Sequence, residues 1–284
     1  MQAKEWAKKG KMISVLNTEL FVIDEGNSKE TLVLLHGYAT SSLDYYKVLP
    51  ELSKHYRVIL YDFLGFGFSD KPKNYYINIQ EQADVCVELW RILELENITL
   101  LSHNISTQIA LEILTRQRLN FVKIDLQKLI ILNSTVSFNQ SNIENSSIHP
   151  LELFSQKIKL MLISFPFYKM KIKDFFFDSN KISEEEIEGK WSIIEHKNGR
   201  EILDFLPSYM IESKLLWNRW FTSSQVNTLP IKIISGKNDA IFNESEAISF
   251  ADQFNNSTLH FIENCGHYPM LEQPKQLTDL ILKS

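Results

Sequence analysis

The sequence predicts an α/β protein: a mostly parallel central sheet flanked by helices, with a helical cap inserted before the penultimate strand. Three observations predict it. Short apolar runs alternate with longer stretches of helical spacing, the pattern of strands buried on both faces and joined by crossover helices. Groups of His, Gly, Asn and Asp follow several of those runs, where open α/β sheets carry their binding loops. The alternation lapses between about Ser134 and Thr228, and a stretch of roughly ninety residues is too long for a plain loop.

Along the chain, residues 11–24 hold two short strand-like runs, expected as an antiparallel hairpin at one edge of the sheet. Thr31–Leu35, Tyr56–Tyr61, Ile98–Leu101, Lys128–Leu132, Ile231–Ser235 and Thr258–Ile262 are apolar runs of strand length, expected as buried strands. Ile77–Glu94, Ile105–Arg118, Glu244–Phe254 and the tail Leu271–Leu282 place apolar residues at helical spacing. The intervening segment carries Phe165, Phe167, Tyr168, Phe175, Phe176, Phe177, Trp191, Trp217 and Trp220 with no clear strand signal. A helical cap is expected there, its aromatics chiefly forming its own core and one or two facing a pocket. The expected division is a core domain of 1–133 and 229–284 and a cap of 134–228.

A chain of 284 residues, 44% hydrophobic and 23% charged, is long enough for a large core and too apolar for disorder. A net charge of −5 gives no reason to expect nucleic acid. Two cysteines, Cys86 and Cys265, provide no disulfide framework. The start of the chain lacks the apolar stretch of a signal peptide, and no apolar run is long enough to span a bilayer. A cytoplasmic location without membrane attachment is the expectation. No histidine has a partner at metal-ligand spacing, and no dinucleotide signature occurs, so neither metal nor cofactor is expected.

The chemistry lies at strand ends. Leu100-Leu101-Ser102-His103-Asn104-Ile105-Ser106-Thr107 reads as a strand turning sharply into a helix, with small residues two places either side of Asn104. That is the layout of a nucleophile elbow, which lifts one side chain above a parallel sheet. Here the lifted residue is an asparagine, whose carboxamide is a poor nucleophile. His36-Gly37-Tyr38 follows the run Thr31–Leu35. Gly37 would let the backbone approach a substrate, and the amides of Tyr38 and Ile105 would form an oxyanion hole. Asp239, after Ile231–Ser235, is placed to orient a histidine, and His267, after Thr258–Ile262, is its natural partner. The glycine-rich turn Asp62–Asp70 lacks a phosphate-loop pattern, and its aspartates read as turn-forming. His103 is expected to hydrogen-bond within the elbow.

These motifs resemble the α/β-hydrolase superfamily, in its haloalkane dehalogenase and epoxide hydrolase branch, and within it the group of the mesoderm-specific transcript protein and its bacterial relatives. The resemblance rests on Leu34–Ser42, Asp62–Pro72, Leu100–Asn104, Gly266–Glu272 and the cap's final part, Trp191 and Tyr209–Trp220, over nearly the whole chain. It implies the α/β-hydrolase fold and a nucleophilic aspartate whose alkyl ester is opened by histidine-activated water. The family pattern has Asp, an aromatic and Gly where this chain has Asn104, Ile105 and Ser106. The dehalogenase halide clamp is incomplete too, with Tyr38 and Ile105 at its two positions. Tyr209 and Tyr168 are candidate donors to an epoxide oxygen, and His36, Gly37, Tyr209 and Trp217 are expected to face substrate.

Three readings follow. A hydrolase could work without a covalent step, His267 activating water directly on a small apolar ester, epoxide or related molecule. A capped pocket could bind such a molecule and do no chemistry. Or Ser102, Ser106 or Cys265 could supply another nucleophile.

Overall fold

The computed structural model describes residues 1–72, 78–134, 164–224 and 229–283. Eight strands make one sheet: β1 (Lys11–Val15), β2 (Thr18–Glu25), β3 (Thr31–Leu35), β4 (Arg57–Tyr61), β5 (Ile98–His103), β6 (Leu126–Leu132), β7 (Ile231–Gly236) and β8 (Ser257–Ile262). Their order is β1-β2-β4-β3-β5-β6-β7-β8. The β1–β2 hairpin is the antiparallel edge, β2 pairs antiparallel with β4, and every later pairing is parallel. Leu16 and Asn17, which join β1 to β2, both have positive φ, the two-residue turn whose twist matches a hairpin.

The central strands carry side chains that are apolar on both faces because both faces are covered. All five residues of β3 are buried, as are the last four of β4. Helices α1 (Ala3–Ala7), α2 (Leu49–Leu52), α3 (Ile79–Ile92) and α4 (Ser106–Arg118) precede the long insertion. Between β6 and β7 the described residues form α5 (Phe165–Ile172), α6 (Glu184–Glu195) and α7 (Leu206–Ser224), with no strand among them. After β7 come α8 (Glu244–Ala251), α9 (Pro269–Glu272) and α10 (Pro274–Leu282).

The single helix expected over Leu271–Leu282 is therefore two. Gln273 has φ −130° and ψ 53°, because Pro274 crowds the preceding residue out of helical backbone and donates no N–H. The helix expected to reach Phe254 ends at Ala251, where Gln253 and Phe254 make tighter, three-residue bonds to Phe250 and Ala251.

Insert helices α6 and α7 are locked to the core by buried polar groups. Lys190 on α6 pairs with Asp44, both buried, and its ammonium lies 4.8 Å from the centre of the Tyr268 ring. On α7, Arg219 and the Trp220 indole donate to Glu112 of α4 at 3.1 and 2.9 Å. Several aromatics do form the insert's own packing: the Trp191 ring lies 5.2 Å from Tyr168 and 5.8 Å from Phe165. No helix among the described residues is long and apolar enough to cross a membrane.

Candidate active site

Asn104 sits at the turn between β5 and α4 with φ +56°, a left-handed conformation that costs any non-glycine residue but that asparagine tolerates best. The turn is over-determined. Asn104 N–H bonds the Leu132 carbonyl at 3.3 Å, and the Asn104 carbonyl accepts from the Ser134 hydroxyl at 2.8 Å. Ser106 Oγ accepts the His103 N–H at 2.8 Å and lies 3.2 Å from the Leu35 carbonyl. Only a small polar side chain fits there, buried against β3. Gly37 is required by proximity: a Cβ on it would lie 2.9 Å from His103 Nδ1 and 3.0 Å from Asn104 Cβ.

Three side chains meet end to end. His267 Nδ1 lies 2.9 Å from Asp239 Oδ2, and His267 Nε2 lies 3.2 Å from Asn104 Nδ2. Nδ2 is a donor, so Nε2 presents its lone pair and the ring proton sits on Nδ1, facing the carboxylate. That tautomer is assigned from the hydrogen bonds. The other end of the carboxamide fixes its orientation. Asn104 Oδ1 accepts the Ile105 N–H at 2.7 Å and the Tyr38 N–H at 3.4 Å. The two amides expected to hold a substrate's oxygen thus converge on the asparagine's own oxygen. Asn104, Asp239 and His267 are all at most 7% exposed.

Asp239 is held by more than the histidine. Its Oδ1 accepts the Ile241 N–H at 2.8 Å, and its Oδ2 accepts Asn133 Nδ2 at 2.8 Å. Asn133 stands just past β6 and also bonds the Gly266 carbonyl at 3.0 Å and the Gly236 N–H at 3.1 Å. It ties three strand ends together. The signal for it in the sequence is its place directly after a buried apolar run, the same place that marks Asn104 and Asp239.

The other expected site residues fall as follows. His36 is wholly buried, and its Nε2 accepts the Phe63 N–H at 3.0 Å while Nδ1 lies 2.8 Å from the Gly37 carbonyl. Burial pushes its pKa down against the opposing charge of Asp62, so it is a neutral brace for the loop. The Tyr209 hydroxyl accepts from Gln82 at 3.3 Å, and its ring lies 6.4 Å from that of Tyr38. Trp217 packs on Phe221 at 3.9 Å between ring centres. Phe175, one of the aromatics noted in the insert, and Phe242 of the core, not singled out by the sequence, approach the imidazole instead, their ring centres 6.2 and 5.8 Å from it.

His103 bonds within its own turn through its main chain, to Ser106 Oγ, but its ring reaches outside the turn. Its Nε2 reaches the His267 carbonyl at 3.0 Å. Burial first, then the neighbouring His267, pushes its pKa well below the ordinary imidazole value, so the ring stays neutral and donates through Nε2. Asp62 accepts the Ser42 and Phe68 N–H groups at 2.8 and 2.7 Å, and Asp70 accepts the Glu19 N–H at 2.9 Å, so both shape turns. Ser102 Oγ is paired with Thr107 Oγ1 at 3.1 Å. Burial raises the pKa of the Cys265 thiol, with Glu272 and Asp239 adding to it, and a thiol kept protonated is a weak nucleophile. Ser102, Ser106 and Cys265 are all turned to structure. No group of His, Cys, Asp and Glu suited to a metal ion occurs among the described residues.

Comparison with known proteins agrees with the fold. Residues 30–144 match the family described as the alpha/beta hydrolase fold. The human mesoderm-specific transcript homolog protein is 31% identical over 286 aligned positions, covering 95% of this chain and 83% of that protein. Among solved structures, a bromoperoxidase from Bacillus anthracis superposes with a TM-score of 0.80 at 20% identity, covering 96% of this chain and 98% of its own. An epoxide hydrolase, CorEH, superposes with a TM-score of 0.77 at 18% identity, covering 96% and 97%. At such low identity the two structures speak for the fold alone. The sequence likeness reaches further, and by it the chain belongs to the α/β-hydrolase family, as a relative of the mesoderm-specific transcript proteins.

Proposed function

We propose that this protein is a hydrolase of a small, largely apolar ester, epoxide or related molecule, working without the covalent step of its branch of the family. The observation that carries this reading is the continuous chain Asp239–His267–Asn104, in which the Nε2 lone pair accepts from the Asn104 carboxamide, the bond a water must take over. His267 takes a proton from water as the water oxygen attacks carbon, and returns it to the departing alkoxide oxygen when the ester or epoxide C–O bond breaks. Asp239, held by Asn133 and the Ile241 amide, keeps the imidazole oriented and stabilises its positive charge. When the electrophile is a carbonyl, the amides of Tyr38 and Ile105 hold the oxygen that becomes negative.

The rate is expected to be low. General-base action is worth about 10²–10⁴-fold, whereas losing a nucleophile costs on the order of 10⁶. Asn104 adds a barrier of its own, because its Oδ1 occupies both amides and must swing aside for a substrate carbonyl. The test is turnover of a panel of short esters, epoxides and haloalkanes by the native protein, His267→Ala and Asp239→Asn. Slow native hydrolysis that His267→Ala abolishes supports the reading, and hydrolysis indifferent to His267 refutes it.

The filled cradle also favours a second reading, a ligand-binding protein of the same fold that does no chemistry. A neutral carboxamide is cheaper to bury than a carboxylate, and here it satisfies the imidazole and both amides by itself. Saturable binding of panel compounds with no product would support this alternative.

A further inference from the structure

The loop that carries His267 is gripped by the insert. Gly266 N–H donates to Glu272 Oε2 at 2.6 Å. Asp178 N–H, in the insert, donates to the other oxygen of the same carboxylate, Oε1, at 2.8 Å. His267 N–H donates to the Phe175 carbonyl at 2.7 Å. The approach is close enough that a Cβ on Gly266 would collide with the Phe175 carbonyl and lie 2.9 Å from Phe177 N. Phe176 stacks on Tyr268 with ring centres 5.5 Å apart. Glu272 itself is only 2% exposed.

We propose that Glu272 is a positioning residue that makes the seat of the insert and the position of the His267 imidazole one mechanical unit. A carboxylate accepts at both oxygens and donates at neither, so it can join two main-chain N–H groups from opposite sides of a boundary. One of those groups belongs to the residue before His267 and the other to the insert. With His267 N–H also bonded to the insert, movement of residues 175–178 drags the histidine loop with it. Nε2 of His267 thus stays in register with Asn104 only while the insert is seated. Glutamine at 272 breaks the device despite its matching shape, because its amide end faces a donor. This coupling rests on the reading of His267 as the base.

The experiment uses the full-length chain labelled with ¹⁵N, as Asp178→Pro and Glu272→Gln, and follows amide exchange and the His267 imidazole resonances. Asp178→Pro removes an N–H of the insert and leaves the core sequence untouched. The expected result is exchange at Gly266 and His267 faster by about tenfold or more, as their bonds open more often once the insert is loosened, together with shifted imidazole signals. Changes confined to the neighbourhood of Asp178, with Gly266 and His267 as in the native protein, would overturn the coupling. If Glu272→Gln fails to fold, Asp178→Pro alone decides. Hydrolysis that survives His267→Ala would refute the base role and leave the coupling to be judged on exchange.

Discussion

At residue 104 each polar side-chain atom meets a partner supplied by the fold: two amides for Oδ1, the imidazole for Nδ2. The same contacts can be read as a water-activating site at rest or as a site filled by its own side chain, so single substitutions around it are informative. Asn133→Ala leaves His267 as the remaining partner of Asp239 Oδ2 and orphans the Gly236 N–H. It is expected to lower stability by about 1–3 kcal/mol and to reduce any hydrolysis further than that loss explains, measured by denaturant midpoint and turnover. Gly37→Ala forces a methyl group against His103 and Asn104. A cost of about 1–3 kcal/mol for such overpacking should appear as a lower melting temperature. The residues of the elbow, the acid and the histidine were legible because each follows an apolar run at a strand end. The role of Glu272 and the bond from His267 to the Phe175 carbonyl were not, since they depend on contacts across the core–insert boundary that no local spacing records.

At the scale of elements, the strands and the edge hairpin could be read from period and apolar run length, because burial on both faces leaves few other compositions possible. The break at Gln273 was missed although Pro274 announces it, the helical spacing of the tail outweighing the proline. The joints between insert and core were invisible, being made by charged residues that look like surface until they are buried. Glu112, on α4, joins Arg116, Arg219 and Trp220. Glu112→Ala strands the buried Trp220 indole and takes one carboxylate partner from each arginine, which is expected to cost about 1–3 kcal/mol, with the melting temperature falling accordingly.

Glu186, on α6, makes a further joint, with Lys47 and Tyr46, and its pKa is lowered to about 2 from an ordinary 4.5. Burial alone would raise it, but the Lys47 ammonium, the Ser183 amide and the Tyr46 hydroxyl outweigh that. A depressed carboxyl stabilises the fold above its unfolded value and ceases to do so as pH falls. The native protein should therefore lose stability on acidification from about pH 5 to pH 2. Glu186→Gln should be less stable at neutral pH and should lose less over that interval, compared by urea midpoint.

For the whole molecule, an eight-stranded sheet carries Asn104, Asp239 and His267 at the ends of β5, β7 and β8, and an insert seated by ion pairs and main-chain bonds closes over them. The family was legible from a few motifs because this fold puts its chemistry in short turns of constrained composition. The division into core 1–133 and 229–284 and cap 134–228 draws on residues 135–163 and 225–228, which lie outside the described part of the chain. The measurement that tests the account most directly is hydrolysis of the ester, epoxide and haloalkane panel by the native protein beside Asn104→Asp, each with and without His267→Ala. The account predicts slow turnover by the native protein, much faster turnover by Asn104→Asp, and loss of both when His267 is removed. No turnover by the native protein, or turnover that outlives His267, would contradict it.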